Sequence, residues 1–247
     1  MGIQARMVVQ SGRMSEAVHK RFSETAAAMA ELQDKRAADT AARLVRLLSL
    51  TGNEWALDVG TGAGAIAIGL APLVHEVIGI DVVPELLAEA NKRAPENVRF
   101  FEGDAMALPF PSDSFDLVST ARTLHHIERP ESVLSEMNRV LKPGGTMLVV
   151  DQLAPNDPLA AMELNRFERE RDETTTRILA DVDLRVLFDS NGLVLRRSDT
   201  EIVEREIESY LDLAGCTGVA RDRARSLAPV QRTVHYGWYV LEKPSLF

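Results

Sequence analysis

The 247-residue sequence has little of what several classes of protein need. Its one cysteine, Cys216, excludes an intramolecular disulfide and a zinc site built from several cysteines. Its 28 basic residues against 37 acidic ones give a net charge of −9, which disfavours non-specific nucleic-acid binding. The longest apolar stretch, residues 63–74, is too short to span a bilayer. Because no continuous apolar segment follows the N-terminal arginines, we predict no secretory signal and a cytoplasmic protein.

The patterning that is present predicts an α/β domain with an attached helical region. Residues 22–50 have helical periodicity, and short apolar segments then alternate with helices. Strands are predicted at 55–59, 76–80, 98–101, 115–119, 146–150, 193–197 and 235–241. Helices are predicted at 65–71, 85–93, 132–141, 155–191 (interrupted near 175), 203–213 and 220–227. This order predicts a doubly wound, mostly parallel, seven-stranded sheet with helices on both faces, N-terminal helices and a helical insertion after strand five.

A glycine-rich loop, Gly60–Gly64, separates the first predicted strand from a helix. Glycines there allow a tight turn and close approach of a ligand to the helix N-terminus. Gly60, Gly62 and Ala65 also satisfy the dinucleotide fingerprint, and Asp81, about 20 residues on, suits ribose hydroxyls in either interpretation. A nicotinamide cofactor and a different ribose-containing ligand therefore both remain open at this point.

Three aspartates favour the second ligand. Asp58 directly precedes the glycines, Asp81 ends the second strand, and Asp104 follows the third. The carboxyl ends of these strands line one crevice in a doubly wound sheet. A carboxylate is unfavourable beside a pyrophosphate and favourable beside an amine. A ligand with an amine, a ribose and an adenine amine therefore fits better than a dinucleotide.

The chain resembles the class I S-adenosylmethionine-dependent methyltransferases, especially the small-molecule branch that includes the quinone-biosynthesis C-methyltransferases. The similarity covers residues 22–150 and, more loosely, the rest of the chain. It rests on five motifs in order, Leu57–Gly64, Val77–Asp81, Glu102–Ala105 with Leu108-Pro109-Phe110, Ser114–Val118 and Arg139–Gly145. The resemblance implies a Rossmann-like methyltransferase domain over 51–247, with a substrate-side insertion at about 153–190 and an N-terminal helical lid over 1–50.

The resemblance also implies a role for each matching position. The glycine loop would pass the methionine part of S-adenosyl-L-methionine, Asp81 would bind the ribose, Val82 would pack on the adenine, and Asp104 and Ala105 would bind the adenine edge. Residues 119–121 would border the methyl group, and the helix that begins near Phe22 would cover the cofactor. The implied cofactor residues are Phe22, Asp58, Gly60, Thr61, Gly62, Gly64, Asp81, Val82, Asp104, Ala105, Ser119, Thr120 and Ala121.

Candidates for the chemistry follow the fourth strand. His125 and His126 are suited to titrate near neutral pH, and either is a candidate general base, although adjacent residues do not face the same way. A purely structural role for the pair is the simpler interpretation. Arg122 is a candidate for binding an anionic substrate group, with a surface charge or an ion pair as the alternative.

The other charged residues give weaker indications of function. Arg166 and Arg169 share a helical face, but interleaved acids favour a solvated, salt-bridged surface. No paired histidines at metal-ligand spacing occur, so no metal is expected. The favoured function is methyl transfer to a small molecule by in-line displacement, without nucleic acid and without a transmembrane segment. An NAD(P)-dependent oxidoreductase and a non-catalytic S-adenosylmethionine-binding scaffold stay open as alternatives, as does a homodimer.

Overall fold

A computed structural model describes residues 16–228 and 233–245 of the chain. Its strands are β1 (Trp55–Val59), β2 (Glu76–Asp81), β3 (Val98–Glu102), β4 (Phe115–Ala121), β5 (Leu141–Gln152), β6 (Val194–Glu204) and β7 (Thr233–Glu242). They form one sheet in the order β3-β2-β1-β4-β5-β7-β6. Strands β1 to β5 pair in parallel, whereas β7 is antiparallel to both β5 and β6. The predicted seven-stranded, mostly parallel sheet is confirmed.

The α-helices in the described residues are α1 (Glu16–Lys35), α2 (Ala37–Leu47), α3 (Ala65–Leu70), α4 (Pro84–Asn91), α5 (Pro130–Val140), α6 (Pro158–Arg171), α7 (Asp181–Ser190), α8 (Ile207–Leu213) and α9 (Gly218–Leu227). Successive residues of a strand point to opposite faces of the sheet. Ala56 therefore packs in the core with α2, α3 and α4, whereas Leu57 packs in the core with α5 and α7. Both faces of the sheet are covered, as the continuous apolar strands predict.

The structure corrects two predicted boundaries. The helix predicted over residues 203–213 begins only at Ile207, because β6 continues to Glu204 through pairing with β7. The interruption predicted near residue 175 is confirmed: residues 155–191 form two separate helices, the first capped by Asp157, whose carboxylate accepts a hydrogen bond from the amide of Ala160 at 2.9 Å. The periodic segment over 22–50 is also two helices, α1 and α2, which meet at Arg36.

Pro143-Gly144-Gly145, between the helix predicted over 132–141 and the strand predicted over 146–150, lies inside β5. Pairing with β4 runs from Phe115↔Leu141 directly to Leu117↔Thr146, so residues 142–145 form an irregularity in the strand. Proline cannot donate to the ladder, and Gly144 has a φ of +78°, which glycine adopts readily. The parallel pairing then continues to the carboxyl ends of the two strands.

The sheet order determines where a ligand can bind. Strand β1 lies between β2 and β4, so the chain connections leave it in opposite directions. A crevice opens at such a switch point, outside the carboxyl ends of the strands. The loops after β1, β2, β3 and β4 all meet there.

Candidate functional site

The loop after β1 is shaped by glycines with positive φ. Gly62 has a φ of +55°, and a Cβ added there would meet nothing nearer than the side-chain amide of Gln33 at 3.9 Å. Its backbone is therefore open to a ligand. Gly64 has a φ of +89°, and a Cβ there would lie 2.9 Å from the ring of Phe100. Gly64 thus permits close packing of α3 on the sheet.

A cleft of about 730 Å³ lies at the carboxyl ends of β1 to β4, within the usual size of small-molecule sites. Most of the cofactor residues implied by the resemblance line it, namely Phe22, Asp58, Gly60, Thr61, Gly62, Asp81, Val82, Asp104, Ala105 and Ala121. Gly64, Ser119 and Thr120 do not line it and lie behind its wall. Arg122 and His126 line the cleft as well, and His125 does not.

Asp58 is a buried carboxylate held by two hydroxyls. Thr61 donates a hydrogen bond to one oxygen at 2.7 Å, and Ser119 donates to the other at 2.7 Å. Burial nevertheless raises the pKa of Asp58 to about 6, because the charged form is poorly solvated. Ser119 therefore acts on the cleft through Asp58.

Asp81 and Asp104 are held by backbone amides. One oxygen of Asp81 accepts a hydrogen bond from the amide of Gly62 at 2.8 Å, and the other from Val83 at 3.0 Å. Burial raises the pKa of Asp81 from its usual value. Asp104 accepts from the amide of Met106 at 2.8 Å. Each carboxylate keeps further lone pairs for a ligand, because a carboxylate offers about four acceptor sites.

Helix α1 covers the cleft, which Phe22, Met29 and Gln33 line from above. Arg21 joins α1 to the segment after α6 through an ion pair with Asp172 at 2.9 Å. Arg93, after α4, donates to the carbonyls of Ala30 in α1 and Ala63 in the glycine loop. The cover is thus tied to both sides of the crevice.

The adjacent histidines have different surroundings. His125 is buried, and the carboxylate of Asp151 at the end of β5 holds both its ring Nδ1 and its backbone amide. Burial acts to lower the pKa of His125, but the charge and the hydrogen bond of Asp151, together with the charge of Glu168, outweigh burial and raise this pKa. Its backbone carbonyl also accepts hydrogen bonds from the amide and the hydroxyl of Thr176. Through its ring and its backbone, His125 connects β5, the loop after β4 and the insertion.

His126 lies at the cleft, with its ring edge-on to Phe22 at 5.0 Å between centroids. Its Nδ1 lies 3.0 Å from the hydroxyl of Thr174, which donates its own proton to Asp172 at 2.6 Å. Burial acts to raise the pKa of Asp172, but Arg21, the neighbouring His126, the Thr174 hydroxyl and Arg171 together outweigh burial and lower this pKa to about 2, so Asp172 is ionised. Thr174 must then accept from Nδ1, so the acceptor lone pair of the neutral imidazole is on Nε2. Burial, and next the neighbouring His125, lower the pKa of His126 well below its ordinary value.

Arg122 has a left-handed backbone, with a φ of +56°. Its guanidinium lies over the ring of Tyr236 at 5.9 Å and has no ion-pair partner in the described part of the chain. Arg166 and Arg169 are exposed, as the solvated-surface interpretation predicts. In the described residues, no three His, Cys, Asp or Glu side chains are grouped to hold a metal, and no helix has the length and apolarity to cross a membrane.

Sequence reasoning missed several residues of the site. Thr123 donates to the carbonyl of Gly60 at 3.2 Å, and Gln33 faces Gly62 from α1. Thr174, which orients His126, is 48 residues away in sequence. Only Thr123 carried a local signal, because it follows the predicted fourth strand at the crevice.

Comparison with known proteins identifies the class. A family model described as a methyltransferase domain matches residues 57–149. The chain is 32% identical over 176 residues to the uncharacterized methyltransferase YcgJ of Bacillus subtilis, covering 70% of each protein. It is 38% identical over 104 residues to the demethylmenaquinone methyltransferase of Chlorobaculum parvum, covering 42% of this chain and 43% of that enzyme.

Solved structures agree on the fold. The crystal structure of YcgJ superposes with a TM-score of 0.76 at 24% identity, covering 85% of this chain and all of that one (100%). A phosphoethanolamine N-methyltransferase of Haemonchus contortus, solved with S-adenosylhomocysteine, superposes with a TM-score of 0.63 at 18% identity, covering 84% of this chain and 53% of that one. The chain belongs to the class I S-adenosylmethionine-dependent methyltransferases. The predicted resemblance is confirmed, and family membership argues against a nicotinamide-dependent oxidoreductase.

Proposed function

We propose that the protein transfers a methyl group from S-adenosylmethionine to a small-molecule acceptor. The observation that carries the proposal is the placement of Asp58, Asp81 and Asp104 along one cleft of about 730 Å³. The cofactor bears a sulfonium and an ammonium group, which carboxylates stabilise and phosphate-binding sites repel. The S-adenosylhomocysteine present in the Haemonchus contortus enzyme, which has the same fold, supports this choice.

Each carboxylate has spare acceptor capacity for one part of the cofactor. Asp81 uses one lone pair of each oxygen for backbone amides, and the remaining pairs suit two ribose hydroxyls. Asp104 and the amide of Ala105 suit the edge of the adenine, and Val82 its face. Asp58, with the open backbone of Gly62 nearby, suits the amino group of the methionine part. These assignments follow the family roles and agree with the exposure of each residue to the cleft.

When bound, the cofactor would supply an electrophilic methyl group on a sulfonium, for in-line displacement by the acceptor with the neutral thioether as the leaving group. The chain contributes position and exclusion of water, which supply most of the catalysis of such a displacement. His126 is the candidate to take the acceptor's proton, because its Nε2 carries the lone pair and its lowered pKa keeps it neutral at pH 7. His125 positions the loop through Asp151.

A small acceptor fits the enclosure of the cleft. Phe22 and Met29 of α1 cover it from one side, and Glu173, Thr174 and Thr176 of the insertion border it from another. We assign the N-terminal helices within residues 1–50 as the cover. We assign the insertion at 153–190 as the acceptor side of the catalytic domain.

Calorimetric titration with S-adenosylhomocysteine, NADH and NADPH in parallel tests the cofactor. We expect micromolar binding of S-adenosylhomocysteine alone; binding of a nicotinamide alone would refute the proposal. Turnover is then measured as S-adenosylhomocysteine formed with a panel of small-molecule acceptors. Binding without turnover on any acceptor would favour the scaffold. In a turning-over enzyme, His126→Ala is expected to lower kcat by ~100-fold or more if the acceptor must lose a proton.

A further inference from the structure

A second, smaller cavity of about 100 Å³ adjoins the cleft on the side of β5 and β7. Five arginines line it, and we name it the arginine chamber: Arg21, Arg36, Arg122, Arg171 and Arg205. Six residues line both cavities, so the two share a wall: Phe22, Met29, Gln33, Ala65, Arg122 and His126. The chamber is smaller than a typical site for a whole ligand, so it suits one functional group of a molecule that lies in the cleft.

Three of the five arginines have carboxylate partners. Arg21 pairs with Asp172, Arg171 with Glu168, and Arg36 with Glu201. Arg36 still has one buried guanidinium nitrogen, Nη1, without a hydrogen-bond partner in the described residues.

The remaining two arginines have no carboxylate partner among residues 16–228 and 233–245. Arg122 lies over Tyr236, and Arg205 over Tyr210, each at 5.9 Å. The Nε of Arg205 is buried and donates to no acceptor there. Burial lowers the pKa of Arg122, and the cations Arg36 and Arg205 add to this effect against the opposing effects of Tyr236 and Glu201. Buried donors and unpaired cations cost free energy, which an oxyanion in the chamber would remove.

The chamber extends from the glycine loop towards the outer strands of the sheet. Ala65, directly after the loop, lines it, as do Gln152 at the end of β5 and Tyr236 opposite it on β7. Strand β7 is three positions from β1 in the sheet, or about 14 Å at the usual strand spacing. Arg205 follows β6, one strand further out. We therefore place the acceptor's end at Tyr236 and Arg205, on the side of the chamber away from Asp58.

We infer that the arginine chamber binds an oxyanion, a carboxylate or phosphate, carried by the methyl acceptor. The planar guanidinium groups of Arg122 and Arg205, with the unpartnered Nη1 of Arg36, can donate paired hydrogen bonds to such a group. This planar geometry favours an oxyanion over a halide. The acceptor is then an acidic small molecule, oriented by its anionic end. This inference rests on the proposed function for its account of the ligand as the acceptor, and the second source of a carboxylate is the cofactor's own methionine part.

The test uses the full chain saturated with S-adenosylhomocysteine at constant ionic strength. Benzoate, methylphosphonate and uncharged benzamide are titrated as probes, with thermal stabilisation as the readout. We expect benzoate or methylphosphonate to bind and benzamide not to bind. Arg205→Gln should weaken oxyanion binding by ~10-fold or more. Arg205→Lys keeps the charge and loses the fork, so an intermediate loss is expected, and Arg196→Gln, an exposed arginine paired with Glu242, should change nothing.

A second arm separates the two sources of the anion. S-adenosylhomocysteine and 5′-methylthioadenosine, which lacks the amino-acid part, are titrated into the wild type and Arg205→Gln. Equal cofactor affinities in both proteins support the acceptor as the source. Loss of S-adenosylhomocysteine affinity alone would assign the chamber to the cofactor and overturn the inference, as would a wild type that binds neither oxyanion. If S-adenosylhomocysteine itself fails to bind, the proposed function fails, and the oxyanion titration of the free protein still tests the chamber.

Discussion

The two cavities of this protein are neighbours with opposite charge. The cleft is bordered by three aspartates at the carboxyl ends of β1, β2 and β3, whereas the chamber is bordered by five arginines. The chain as a whole carries a net charge of −9, so the arginine cluster is a local exception to the composition. The difference teaches that the residues lining a site, and not the net charge of the chain, determine which ligand charge the site can bind. The proposed function would place a cationic methyl donor in the cleft beside an anionic group in the chamber.

The acidic cleft and the arginine chamber, here called the acidic half and the basic half of the site, also differ in how their charges are neutralised. Asp81 and Asp104 rely on backbone amides, and Asp58 on hydroxyls. The arginines that are satisfied rely on buried carboxylates, such as Glu168. Removing one partner in the basic half therefore leaves a full charge unpaired, whereas the acidic half keeps its backbone donors. The predictions below test this contrast, beginning with the largest effect.

Glu168→Ala, in the basic half, should cause the largest loss of stability. The carboxylate is buried and accepts hydrogen bonds from Arg171 at 2.7 Å, Gln152 at 2.8 Å and Tyr210 at 2.9 Å. Its loss leaves Arg171 uncompensated, so we expect the free energy of unfolding to fall by about 3–5 kcal/mol. Denaturant unfolding measures this change. Glu163→Ala, an exposed acid on the same helix, is the control, and equal losses in the two variants would contradict the account.

Asp81→Ala should weaken S-adenosylhomocysteine binding by ~10-fold or more, because a buried pair of acceptors is lost. Calorimetric titration measures the affinity. Glu102→Ala is the matched control, since Glu102 ends β3 at the same edge of the sheet and is exposed outside the cleft. Unchanged affinity in Asp81→Ala would remove Asp81 from the site.

Acidification should weaken the binding of S-adenosylmethionine more than the binding of a neutral nucleoside. The pKa of Asp58 is raised to about 6, so its carboxylate is charged at pH 7 and becomes neutral as the pH falls through 6. We expect the affinity for the cationic cofactor to fall several-fold, or about 1 kcal/mol, between pH 7 and pH 5. Titration of S-adenosylmethionine against 5′-methylthioadenosine across this range measures it. An equally steep pH dependence in Asp58→Asn would show that another group is responsible.

His126→Ala should have the smallest effect on cofactor affinity. His126 lies where the two cavities meet, and its polar contacts are to Thr174 rather than to the glycine loop. We expect S-adenosylhomocysteine to bind within ~2-fold of the wild type by calorimetry. A large loss would mean that the ring shapes the cofactor pocket, and the division of the site into two halves would need to be redrawn.

The acidic half was predictable from the sequence, and the basic half was not. Asp58 and Asp81 lie at the carboxyl ends of β1 and β2, and Asp104 follows β3, so alternating strands and helices suffice to bring them together. Arg36, Arg122 and Arg205 come from α1–α2, β4 and β6–α8, and no local pattern relates them. Of the chamber arginines, the sequence analysis identified only Arg122 as a candidate. It also considered Arg166 and Arg169, which are exposed. The buried pair Glu168 and Arg171 lies on the same helix as those two residues. Strand pairing with β7 likewise overrode the helical pattern near residue 203.

The position of β7 between β5 and β6 has a consequence for how the molecule folds. The three aspartates lie within residues 55–105, and Ser119 of β4, which holds Asp58, is close to them in sequence, so this part of the site can form early. The chamber needs residues spread from Arg21 to Tyr236, and these include Arg36, Arg122, Arg171 and Arg205. Closing such a span is slow and comes late. During synthesis on the ribosome, we therefore expect the aspartates of the cleft to come together before the arginine chamber is complete.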